Sequence, residues 1–122
     1  MTLDPRDNLL KIAAHYNMEG YKDQNISLPS NIGCAGHALT NDSEAFYDPR
    51  TMNGMGVDPD KVWKELKSII SMPIHDSDRN RLGVLNIDSD NKMDKTKFTD
   101  EHFKYTMGLA ADAFGRLLEK KV

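Results

Sequence analysis

Four kinds of side chain in this sequence could do chemistry. The first is a single thiol, Cys34, set in Gly33-Cys34-Ala35-Gly36. A cysteine becomes a nucleophile when its surroundings lower its pKa. With one sulfur in the chain, no internal disulfide can form to recycle it, and no CxxC metal or redox motif exists. The small neighbours fit a buried, inert thiol better. The second kind is histidine. His15, His37, His75 and His102 fall in four separate segments, without a His-x3-His pair or matching carboxylates, so the spacing does not describe a metal centre. The third is the acidic run Asp88-Ser89-Asp90-Asn91-Lys92-Met93-Asp94. It is shaped like a calcium loop, but Met93 stands where the turn glycine belongs, Lys92 occupies a ligand position and Thr99 replaces the closing glutamate. The fourth is a pair of polar residues, Ser71 and Asn86, that interrupt otherwise apolar runs. A few polar groups in an apolar hollow are how small-molecule sites fix a ligand's orientation. No base stands paired with a nucleophile, so the chain reads as non-catalytic.

The runs that carry Ser71 and Asn86 are the centre of the chain. Ile70, Met72 and Ile74 alternate with Ser71, Pro73 and His75, and Gly83, Leu85 and Ile87 alternate with Val84, Asn86 and Asp88. Period-two patterning on both sides of the polar stretch Ser77 to Arg81 predicts an antiparallel hairpin. Apolar residues on its second face (Ile69, Leu82, Val84) predict cover on both sides. Before it, Asp4-Pro5-Arg6-Asp7-Asn8 is turn chemistry. Leu9 to Met18 fits a strand or a helix, the strand slightly better, and Glu19 to Ser30 reads as a loop. Asn31 to Thr40 is rich in small residues and predicts one or two helical turns against the sheet. Glu44 to Asp48 predicts a short strand ended by Pro49, followed by a loop over Arg50 to Gly56. Asp58-Pro59 is a good helix start, with Val62, Trp63, Leu66 and Ile69 as the apolar stripe. The last element is a long helix. Thr99 is expected to cap it, Phe98 to staple onto Phe103, and Phe103, Met107, Ala110, Ala111, Phe114, Leu117 and Leu118 to face the core.

Composition sets the class. The 122 residues are 39% hydrophobic and 29% charged, which suits one globular domain. A net charge of −3 with no basic cluster argues against nucleic acid. No apolar run reaches the ~20 residues of a membrane span, and the first residues lack a signal-peptide pattern, so the expectation is a cytoplasmic protein.

Taken in order, Gly-Cys-Ala-Gly-His-Ala, Tyr-Asp-Pro-Arg, Ser-Ile-Ile-Ser-Met-Pro-Ile, Gly-Val-Leu-Asn-Ile-Asp-Ser and Phe-Thr-Asp-Glu before an alanine-containing helix resemble a GAF domain over Leu9 to Lys120. The resemblance implies an α+β fold, GAF-like or profilin-like, with an antiparallel sheet of about four or five strands and helices on its faces. It places Leu9 to Met18 on the family's second strand. The family's first helix and central first strand should precede Leu3. With nothing seen to fill that place, Leu9 to Met18 is expected to pair directly with Leu82 to Asp88, or a second chain to contribute.

The resemblance also implies a role. In the family, ligands lie over the sheet, under the loops around the short strand and the following helix. Here that places Phe46, Tyr47 and Asp48 at the site, with Arg50, Met52, Met55 and Trp63 from the loop and helix, and Ser71 and Asn86 as the floor. The expected function is a regulatory or sensory domain that binds a small molecule or relays a signal, within a signalling protein or a homodimer. The ligand and any cofactor are unknown from sequence. One alternative is a dimerisation module without ligand. Another is a GAF-fold free-methionine sulfoxide reductase, disfavoured because that enzyme type uses several cysteines. Asn91-Lys92, Phe98 and Asp100-Glu101 are similar to the cyclic-nucleotide signature of some GAF domains. Only Thr99 separates Phe98 from Asp100, where that signature has three residues, and helix capping explains the same side chains.

Overall fold

The computed structural model describes residues 1–14, 27–48 and 66–120. Six short strands form one curled antiparallel sheet, one or two more than expected. They are β1 (Thr2–Asp4), β2 (Leu9–Lys11), β3 (Ser27–Pro29), β4 (Ala45–Tyr47), β5 (Ser68–His75) and β6 (Arg81–Ser89), in the order β3-β2-β1-β6-β5-β4. Helix α1 (Gly33–Asn41) covers one face and α2 (Glu101–Glu119) the other, with a 3-10 turn over Met93–Lys95 leading into α2.

The β5–β6 hairpin forms as its patterning predicts. Its register runs from Ser68↔Ser89 through Ser71↔Asn86 to Ile74↔Gly83, then slips so that His75 faces Arg81. Alternation along the ladder sorts the side chains. Leu10, Val84, Ala35, Ala38 and Leu39 make the core under α1, joined by Leu3, Leu28 and Ala45. Ile70, Phe98 and Met107 make the core under α2, joined by Phe46, Met72, Leu85 and Phe103.

Two expectations for the N-terminal half are overturned. The central place beside β6 is filled by this chain's own first residues. Thr2 pairs with Gly83, Met1 and Val84 exchange backbone hydrogen bonds (2.5 and 2.7 Å), and β2 pairs with β1 rather than with β6. A three-residue strand carries too little alternation to be read from sequence, but an unfilled central slot would leave backbone groups unpaired at a cost that selects whatever segment can reach it. The predicted turn Asp4–Asn8 is what returns the chain. Asp4 accepts from the Arg6 backbone N–H at 2.9 Å, and Asn8 adopts the left-handed conformation (φ 59°). Arg6 and Lys11 hold the Asp4 carboxyl well below its usual range. Ser27–Pro29, expected in a loop, pairs with β2 as an edge strand, where Pro29 is tolerated. The rest of Leu9 to Met18 is not strand at residues 12–14, and from His15 on it lies outside the described residues.

Helix α2 differs from its expected face. Met107, Ala111 and Gly115, at i, i+4, i+8, sit against the sheet, while Phe114 and Leu117 are 46% and 57% exposed. The cause is Gly115: a Cβ there would overlap the His75 carbonyl oxygen, so its absence lets this line of the helix rest on β5. The cap is also one residue later than expected. Asp100, not Thr99, accepts from the Phe103 N–H at 3.1 Å, though Phe98 and Phe103 do stack against each other with ring centroids 5.7 Å apart. The predicted helix from Asp58 lies outside the described residues up to residue 65; of its stripe, Leu66 is described and not helical, and Ile69 belongs to β5.

Candidate functional site

The site builds outward from the middle of the hairpin. Ser71 is completely buried in β5, and its hydroxyl donates to Asn86 Oδ1, directly opposite on β6, at 2.6 Å. Neither residue simply points to water: the two side chains bond to each other across the ladder. Ala45 of β4 pairs with Ser71 on its other side and belongs to the α1 core, which puts Ser71 and Asn86 on the α1 face. Two residues along each strand, Tyr47, Ile69 and Asp88 form the next cross-strand row of that face.

The N-terminal turn of α1 overhangs this floor. Cys34 is buried there and makes hydrogen bonds with Ser71. Burial pushes its thiol up to about 11, and the Asp88 carboxylate adds to that, while the Ser71 bonds act the other way and lose. A thiol held so far above neutral pH carries almost no thiolate. Helix α1 begins at Ile32 without a side-chain cap. It ends on Asp42 in the left-handed conformation (φ 54°), whose backbone N–H returns to Ala38 O.

The structure therefore brings together three of the nine residues expected at the site: Tyr47, Ser71 and Asn86 share the α1 face of the sheet. Asp48, just past the end of β4, is buried and engaged with a partner. Phe46 is not among them: it alternates to the other face and packs with Ile70 and Phe98 under α2. Arg50, Met52, Met55 and Trp63 lie outside the described residues. Sequence reasoning did not place Cys34 against Ser71, nor Asp88 beside Asn86. Asp88 was recoverable, being two residues beyond Asn86 on one strand face. The Cys34 contact depends on where α1 docks, and no local signal encodes that. Among the described residues no three histidine, cysteine or acidic side chains gather as metal ligands, and no helix is long and apolar enough to cross a membrane.

No family model matches the sequence, and no curated protein matches it significantly. Solved structures do match. One is described as the structure of the GAF domain, with a TM-score of 0.65 and 19% identity over 93% of this chain and 59% of that one. Another is described as the structure of fRMsr of Staphylococcus aureus in its reduced form, with a TM-score of 0.60 and 22% identity over 90% of this chain and 62% of that one. The chain thus spans about three fifths of the structures it matches. With its strand order, a helix on each face and the Gly-Cys-Ala-Gly turn of α1 over the central hairpin, the chain has the fold of a GAF-like domain.

Proposed function

We propose that this is a non-catalytic regulatory domain that takes a small molecule on the α1 face of its sheet, beside Ser71 and Asn86, within a signalling protein or a dimer in the cytoplasm. The observation that carries the reading is the polar Ser71–Asn86–Cys34 group placed in an otherwise apolar floor, with Tyr47 and Asp88 in the adjoining row. An apolar floor with a few fixed donors and acceptors suits a small organic ligand. The Cys34 thiol supports the non-catalytic side of the reading. It is protonated at neutral pH and has no second cysteine to resolve it. The likeness to fRMsr favours a reductase as the second reading, and it rests on fold alone.

The test is a thermal-shift screen against nucleotides, cyclic nucleotides, amino acids and small organic acids, with native mass spectrometry of the purified protein. A ligand at a hundred times its Kd stabilises the fold by about 2.7 kcal/mol. A hit abolished by Ser71→Ala or Asn86→Ala supports the site. A hit insensitive to both overturns it, and a blank screen with a dimer mass transfers the role to dimerisation. Methionine sulfoxide reduction that disappears in Cys34→Ala establishes the reductase instead.

A further inference from the structure

Helices α1 and α2 lie on opposite faces of the sheet, yet both end at the same short stretch of chain, His75 to Arg81. On the α2 side, Glu119 accepts from the Ser77 backbone N–H at 2.7 Å and from Ser77 Oγ at 2.8 Å. On the α1 side, Arg81 Nη1 donates to the Leu39 and Thr40 carbonyls at 2.5 and 3.2 Å, two of the acceptors that the helix end leaves without an intrahelical partner. His75 touches both helices. Its Nε2 pairs with Asp42, the left-handed cap of α1, and its carbonyl oxygen lies against Gly115 of α2. The ladder slips at this same residue: Ile74 faces Gly83 but His75 faces Arg81, so Leu82 is the extra residue of a bulge. A bulge breaks the ladder locally and re-aims the residues around it.

The turn beyond His75 is braced from inside. Asp76 Oδ1 accepts from the Asp78 and Asn80 backbone N–H groups at 2.9 and 2.8 Å, Asn80 Nδ2 donates to Asp76 Oδ2 at 3.0 Å, and the Asp76 N–H donates to Asn80 O at 3.0 Å. Arg79 completes it in the left-handed conformation (φ 67°). A turn tied to itself in this way moves as one piece and does not absorb displacement at either edge.

We propose that the His75 bulge and its braced turn form a mechanical joint that couples the C-terminal ends of α1 and α2 across the sheet. A shift of α1 on its face displaces the last turn of α2, and the reverse. The joint does not depend on whether the α1 face takes a ligand.

Hydrogen exchange at pH 7, read by mass spectrometry on the whole chain, tests it in both directions. Glu119→Ala removes only the α2 tie, and the readout is the α1 cap, where the Asp42 and Ser43 N–H groups both bond to Ala38 O. Arg81→Met removes the donors to α1, and the readout is the last turn of α2, where the Lys120 N–H bonds to Leu118 O. The expected result is faster exchange at the distant helix end in both variants, by about fivefold or more, with β1 and β2 unchanged. Faster exchange confined to the substituted side, or spread evenly over the sheet, overturns the coupling. Ser77→Ala, which removes half of the Glu119 tie, serves if Glu119→Ala does not fold.

Discussion

Two glycines on one helix give opposite answers to the same substitution. Gly108 and Gly115 are seven residues apart on α2, so alanine brings the same helix-propensity gain of about 1 kcal/mol at each. A Cβ on Gly108 meets nothing within 4 Å, so Gly108→Ala gains that amount and raises the melting temperature by about 4 °C. A Cβ on Gly115 overlaps the His75 carbonyl oxygen and comes within 3.4 Å of Ile74 Cγ2. The carbonyl is strand backbone and cannot swing aside like a long side chain, so the helix has to lift. Overpacking of this kind costs about 1–3 kcal/mol, and a gap of 0.5–1 Å forfeits a quarter to a half of each dispersion contact beside it. Met107 and Ala111, buried on the same line of the helix, lose contacts as well. The net for Gly115→Ala is a destabilisation of roughly 1–2 kcal/mol, and the two variants differ by about 2–3 kcal/mol. Urea denaturation followed by circular dichroism at one pH measures both. If Gly115→Ala stabilises as much as Gly108→Ala, the seating of α2 on β5 is refuted, and with it the reason given for the exposure of Phe114 and Leu117.

Acid should weaken the fold in part through Asp42. Its hydrogen bond with His75 holds its carboxyl below the usual aspartate range, so the stability it contributes is present above about pH 4 and is lost as pH falls through the lower folded value. Asp42→Asn should flatten the dependence of the urea midpoint on pH below 4, and an unchanged slope would mean the bond is not formed in solution. At the alkaline end, the Cys34 thiol is raised from 9.0 to about 11, so stability should be full below pH 9 and decline from there to about pH 11. In keeping with that, alkylation of native protein at pH 8 should be slow until denaturant is added, and stoichiometric labelling within minutes would contradict the burial. Asp100→Ala removes the α2 cap and should cost about 1 kcal/mol by urea denaturation, while Thr99→Ala should cost less. The reverse ranking would restore Thr99 as the cap.

Legibility followed the length of the repeating signal. The hairpin has eight and nine residues per strand, enough for period two to be unmistakable, and its cover on both faces follows from the apolar residues at Ile69, Leu82 and Val84. The Phe98–Phe103 contact was also readable, being local. The strands β1 and β3 have three residues each and no local signal sets them apart, whereas β4, equally short, is legible because Pro49 marks its end. Of the candidate site, the Ser71–Asn86 pairing follows once the hairpin register is known, but register itself depends on where the ladder slips.

The sequence by itself determined the elements that carry their own periodicity: the central hairpin, the long final helix and the first turn with its Asp4 and Asn8. It also determined the lone thiol, and so the absence of an internal disulfide. Only the tertiary structure decided which segment fills the slot beside β6, which face each side chain serves and what Cys34 touches. Those outcomes are set by contacts between residues tens of positions apart, such as Met1 with Val84, Cys34 with Ser71 and Gly115 with His75. Local propensity falls silent at that range, where the need to pair every buried backbone group and to pack without overlap selects one arrangement.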